Sequence, residues 1–472
     1  FHTLKGSDHD HFPAGGCMAG LGAGSRASGR NRRQQDILGH PAGLFLLTQV
    51  ELWERFSFYG MRALLVVYMG SVLFRPGHGT VFGLNAFCRL LHLDPHAADM
   101  SVVMSQIYGL YSGFVYFTPL AGGYLADRGM GKTRLIIAGG ILIVVGHLLV
   151  PVSGFFLVAL LLIAIGTGGI KGNIAAQVGD LYPPGDRRRE RGFSIFYMGI
   201  NIGAALAPVV CAVLVARVGW DAAFMATSVG MILGVVLYVV GGHFWLPARM
   251  LPPPDTPPAP QDGRGGPQGG HAGWLVAGLA LSCVFIWISY EQQANSMMRW
   301  MVPGAADVGM VWVQSVPPLV VLLGTPALMA VWRMQARRMR EPSAMRKMTT
   351  GMLIILSSQI FLVVLAMVLN HHAPATWTVV MYMVIWEIGD LYFSPAAMGL
   401  FSRQGSSVRN SVPMAIWYLT IFAGNITSGW VGMLWGSLAP TLYWAVVAVL
   451  TAMGVAGIAL CRKYMSPAQM GA

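Results

Sequence analysis

Charge is what this sequence has least of. Only 11% of its 472 residues are Asp, Glu, Lys or Arg, while 55% are hydrophobic. Soluble domains carry about 25% charged residues, so a water-soluble fold is excluded and a polytopic membrane protein is implied. Acids are the scarcer sign, 19 against 31 Lys and Arg, and the net charge is +12. Such a surplus could suggest nucleic acid as a partner. Here most of the basic residues stand in short loops between apolar runs, the positive-inside pattern of a chain whose partner is membrane lipid. Cysteine is scarce too: Cys17, Cys88, Cys211, Cys283 and Cys461 show no C-x-x-C spacing, so neither a disulfide framework nor a zinc site is expected. The chain has no H-E-x-x-H and no Ser/His/Asp set on its spans. An enzyme is therefore not expected, and no cofactor or metal is called for. No signal peptide is discernible; the chain starts on Phe1, an upstream segment is expected, and the first span is expected to begin insertion.

What is abundant is apolar sequence in lengths near the ~20 residues that cross a bilayer. The expected fold is all-α, with twelve spans at 41–70, 99–121, 134–151, 153–178, 193–216, 221–246, 273–297, 308–333, 350–370, 376–401, 412–436 and 439–462. Residues 1–40, Gly-rich with Arg26, Arg30, Arg32 and Arg33, read as a flexible cytoplasmic tail, in which His9 and His11 are expected to be solvated. Asn85 to Leu93, in the loop after the first span, reads as a short interfacial helix. Pro247 to Gly273 holds eight prolines and six glycines, an irregular linker that divides the spans six and six. The domains expected are thus a bundle at 41–246, a cytoplasmic linker at 247–272, a second bundle at 273–462 and a tail at 463–472. With the N-terminus inside, 24 Lys and Arg fall on the inner side and four on the outer (Arg75, Arg89, Arg217, Arg299). Both termini are therefore expected to be cytoplasmic.

Inside this apolar background, Glu51, Glu54, Arg55 and Arg62 occupy one arc of about 100° on the first helix. Each charge at a bilayer centre costs about 2.5 to 3.5 kcal/mol on insertion scales, so such residues face a wet cavity and partner one another. Lys171, Glu291, Glu387 and Asp390 complete a set of eight, three positive and five negative. Full ionisation leaves an excess of two negative charges, which proton binding by one or two carboxylates would relieve. Depth along the spans suggests two pairs joining opposite halves, Arg62 with Glu291 toward the outer side and Lys171 with Asp390 further in. Pairs across a half-domain interface suit a two-state gate, formed in one state and broken in the other.

These residues also carry a family resemblance. Glu51-x-x-Glu54-Arg55-Phe-x-Phe-Tyr-Gly resembles the ExxERFxYYG signature of the proton-dependent oligopeptide transporters of the major facilitator superfamily. Gly122 to Lys132 resembles the loop between helices 2 and 3 common in that superfamily. Gly166 to Asn173, Phe196 to Gly203, Trp287 to Gln292 and Gly389 to Pro395 resemble the family's segments on helices 4, 5, 7 and 10. The resemblance implies a major facilitator fold of two six-helix bundles and proton-coupled symport of di- and tripeptides, carried out by a monomer in a cell membrane, here a bacterial inner membrane. The implied proton-coupling set is Glu51, Glu54, Arg55, Glu291 and Asp390. Arg55 and Lys171 would receive the peptide carboxylate. Asn201 and Asp390 would meet its amino terminus, with Tyr59, Tyr116 and Trp287 lining side-chain pockets and Arg62 with Glu291 closing the outer gate. Three departures stand out: Asp390 replaces the usual Glu, Pro317 stands where the family has Asn, and the 26-residue linker cannot hold the two extra helices of many bacterial members. The first two leave room for a symporter of another small solute, such as nitrate or a peptide-like metabolite.

Overall fold

The computed structural model describes residues 36–75, 80–97, 99–183, 186, 188–247, 270–302, 305–338, 342–370, 372–403 and 411–464. His9, His11, Cys17, nearly all of the expected linker and most of both tails lie outside them. Apolar stretches of this length become helices because a helix satisfies its own backbone groups where no water can. Twelve long helices result. In the first half they are α1 (Ala42–Tyr68), α2 (Ser101–Leu125), α3 (Lys132–Leu149), α4 (Phe156–Asp180), α5 (Arg188–Arg217) and α6 (Trp220–Trp245). In the second they are α7 (Gly270–Glu291), α8 (Val316–Arg337), α9 (Ala344–Leu369), α10 (Thr376–Arg403), α11 (Ser411–Gly432) and α12 (Pro440–Tyr464). Nine of the twelve are long and apolar enough to cross a membrane by length and composition; α2, α10 and α11 are less apolar. A short helix, Leu84–Leu90, stands where the interfacial one is expected.

Within the first half α1 packs on α5 and α6, and α4 packs on α2 and α3. Within the second α9 packs on α10 and α12, and α7 on α11 and α12. The Gly166–Gly169 run reads as close helix packing and serves as that: a Cβ on Gly168 would stand 2.7 Å from the Thr118 carbonyl oxygen of α2. The halves meet along α2 with α11, and along α5 with α8 and the 3-10 segment Ala305–Ser315 before it. Pro317 and Pro318 occupy the first turn of α8, where a missing N–H costs no helical hydrogen bond.

Two elements depart from simple spans. The seventh helix ends at Glu291, passes through a turn at Gln292–Asn295 and resumes as Ser296–Met301. Side chains satisfy the break: Gln292 Nε2 donates to the Ser428 carbonyl at 3.1 Å, while Tyr443 and Ser296 hydroxyls donate to Gln292 Oε1 at 2.7 and 2.8 Å. The other is the end of the N-terminal tail. Asp36–Ile37 pairs with His40–Pro41 as a small hairpin, although composition reads as flexible there. His40 Nδ1 lies 2.8 Å from the Tyr182 hydroxyl, and Arg188 Nη1 donates to Asp36 at 3.2 Å and to the Gly39 carbonyl at 3.0 Å.

Candidate functional site

The charged arc of α1 lies buried between the halves. Arg55 Nε forms an ion pair with Glu51 Oε1 at 3.1 Å and donates to Glu54 Oε2, and all three side chains are almost wholly buried. Two acids therefore share one guanidinium, whose Nη2 has no hydrogen-bond partner among the described residues. The Lys171 ammonium of α4 is likewise without one. It stands 3.6 Å from the centre of the Tyr116 ring and 5.6 Å from that of Phe58, and Arg55 lies 5.4 Å from the same Phe58 ring. Phe58 thus holds the two cations on its flanks, each with donor capacity to spare. Tyr59 meets Phe58 edge-on at 5.2 Å.

Arg62 lies two turns further along α1 and joins the halves. Its Nη2 is 3.1 Å from Glu291 Oε2, Nε donates to the Tyr108 hydroxyl at 3.1 Å and Nη1 to Tyr290 at 3.4 Å. The Tyr108 hydroxyl donates in turn to Glu291 Oε2 at 2.5 Å. Glu291 is the last residue of α7 before its break, where the helix dipole disfavours a negative charge. The guanidinium and phenol offset that. Arg299, on the resumed helix, adds a second tie beyond the break: it donates to the carbonyls of Ser101 on α2 at 3.2 Å and Gly432 on α11 at 2.8 Å.

The opposing wall is α10. Asp390 Oδ1 accepts from Ser394 at 2.5 Å, and Glu387, one turn earlier and buried, has an Oε1 without a partner among the described residues. Trp287 packs edge-on against Trp417 at 5.7 Å and Tyr290 at 5.9 Å, its indole N–H unpartnered. The Asn201 amide turns back to the Tyr197 carbonyl at 2.9 Å.

Of the two cross-half pairs expected from depth, Arg62–Glu291 is therefore made. Lys171–Asp390 is not, for no ion pair joins them among the described residues. This accords with where the halves touch. The close contacts of α2 and α11 start at Ser105 and Gly432, near the end of the bundle poor in Lys and Arg, and run inward to Phe117 and Phe422. That end is closed. Sequence reasoning did not include Tyr108, Tyr290 or Arg299 in the site.

Comparison with known proteins bears on this geometry. The pattern of the POT family matches residues 133–250 and 274–438. The chain is 27% identical over 476 residues to "Peptide transporter YePEPT" of Yersinia enterocolitica subsp. palearctica, covering 84% of this chain and 88% of that one. It is 27% identical over 466 residues to a "Di-/tripeptide transporter" of Lactococcus lactis subsp. cremoris, covering 82% and 88%. It is also 28% identical over 484 residues to "Uncharacterized transporter YclF" of Bacillus subtilis, covering 89% and 93%. Among solved structures, "peptide transporter POT in complex with sulfate" superposes with a TM-score of 0.77 at 26% identity, over 93% of this chain and 98% of that one.

Proposed function

The chain belongs to the POT family, and from that premise we propose that it is a proton-coupled symporter importing di- and tripeptides by alternating access. The observation that carries this reading is the separation of charge between the two halves. Arg55 Nη2 and Lys171 Nζ are spare cationic donors on the first half, and Glu387 and Asp390 are carboxylates on the second. A zwitterionic peptide supplies the complement at each end, its carboxylate to Arg55 and Lys171 and its amino terminus to Asp390. Tyr59, Tyr116, Asn201 and Trp287 line the space between, and recognition anchored on the peptide termini tolerates many side chains. Glu51 and Glu54, two acids on one arginine, take up the coupling proton, with Arg55, Glu291 and Asp390 completing the relay. Arg62–Glu291 is the gate pair formed when the outer side is closed, and Lys171–Asp390 is its counterpart when the inner side closes. The protein works as a monomer in a bacterial inner membrane with both termini cytoplasmic, the side on which the basic loops lie.

Asp390→Asn or Glu54→Gln should abolish proton-driven accumulation of a dipeptide in proteoliposomes more severely than counterflow exchange. Equal loss of both would point to binding or folding instead. A second reading, symport of another small solute such as nitrate or a peptide-like metabolite, draws support from Pro317, which brings no side-chain hydrogen-bonding group to the start of α8, and from the short arm of Asp390. Competition of such solutes against peptide uptake separates the two.

A further inference from the structure

Charge balance across the cavity leaves one group without a task. Arg55 is held by Glu51 and Glu54, and Arg62 by Glu291, Tyr108 and Tyr290. A neutral peptide then uses Lys171 and the spare Arg55 Nη2 for its carboxylate and Asp390 for its amine. Glu387 remains. It is 2% exposed, and its Oε1 has neither a hydrogen bond nor an ion pair among the described residues. It lies within electrostatic reach of Asp390, Arg62, Tyr59 and Tyr290, and it stands three positions before Asp390 on α10. A buried carboxylate with no partner is costly to keep charged, and the cost falls when a cation is delivered to it.

Resting on the peptide reading above, we infer that Glu387 is a specificity residue that receives a cationic side chain on the first residue of the substrate. Glu387 and Asp390 are three positions apart on α10, a rise of about 4.5 Å on roughly one face. In a peptide the amino group and the first side chain leave the same Cα, so one end of the molecule offers two cations to two neighbouring carboxylates. Lys or Arg at the first position satisfies both acids. An uncharged first side chain leaves Glu387 unpaired, and an acidic one sets like charges together. The order of affinity is therefore cationic, then neutral, then acidic.

The test uses the full chain in proteoliposomes and in detergent, with Lys-Ala, its N6-acetyl-lysyl counterpart and Ala-Ala as probes. A charged hydrogen bond to a buried carboxylate is worth enough that Lys-Ala should bind about tenfold or more tightly than the acetylated peptide. Glu387→Gln should bring the two within about twofold of each other, while Glu387→Asp keeps part of the preference. Equal affinity of the native protein for all three probes would overturn the inference, as would a preference that survives in Glu387→Gln. Loss of proton-driven uptake of every peptide in Glu387→Gln, with the binding preference intact, would make the residue a proton carrier and also overturn it. If the native protein takes up no peptide of any charge, the peptide reading itself fails, a distinct outcome.

Discussion

A single guanidinium shows how residues divide the work. Arg62 touches both halves through Glu291 and the Tyr108 and Tyr290 hydroxyls. Removing one partner of a buried pair costs about 3 to 5 kcal/mol because the other charge is left unpaired. In Glu291→Ala that cost falls on the closed conformation alone, since Arg62 is hydrated once the halves part. The closed state should lose about a hundredfold or more in relative population. Spin labels at Val218 and Leu442, exposed positions at the same end of the two halves, read this out as a longer-distance population; an unchanged distribution would refute it. The pair was legible from depth along the spans, because each buried charge needs a partner at its own level in the membrane. Tyr108 was not, since a tyrosine in an apolar run reads equally well as lipid-facing belt. The expected Lys171–Asp390 contact depends on which conformation is present, and no residue pattern specifies that.

Elements add what residues alone do not. The approach of α2 and α11 rests on Gly109, where a Cβ would stand 2.7 Å from the Gly429 Cα. Gly109→Val should therefore hold these helices apart, raise maleimide labelling of a cysteine placed at the buried Ser105, and slow uptake. Unaltered labelling would mean that the contact does not govern closure. At the basic end, Arg188 ties the hairpin Asp36–Pro41 to the start of α5. Arg188→Ala should speed amide exchange across the hairpin while leaving the helices protected. Acid should act in the same direction, because hydrogen bonds from Arg188 hold the Asp186 carboxyl below its ordinary range. The Asp186 contribution is present above the ordinary carboxylate value and is lost as pH falls through the lowered one. The break in α7 was not legible. Glu291-Gln-Gln-Ala-Asn295 contains neither Pro nor Gly, and the turn stands because Ser428 and Tyr443, distant in sequence, take up its polar groups. The hairpin was not legible for a related reason: its partners, Tyr182 and Arg188, lie 142 and 152 residues on.

For the whole molecule, the long helices followed from apolar length, and nine of them are long and apolar enough to cross a membrane; the Pro/Gly-rich interval marks where the sequence divides them. Both are coarse properties that tertiary contacts do not override. The proposed chemistry rests on eight charges on α1, α4, α7 and α10, six of them buried and Lys171 and Asp390 half-buried. In the proposed symport, proton entry down the gradient supplies the driving force. One inward charge gains about 2.3 kcal/mol per 100 mV and each pH unit adds about 1.36 kcal/mol. Together these support roughly a hundredfold accumulation or more per proton. The most direct measurement is uptake of radiolabelled dialanine by proteoliposomes holding the full chain, under an inward proton gradient and an inside-negative potential. The peptide should accumulate well above its external concentration, and a protonophore should return it to equilibrium. Failure to accumulate any of a panel of di- and tripeptides, or accumulation indifferent to the protonophore, would contradict the account.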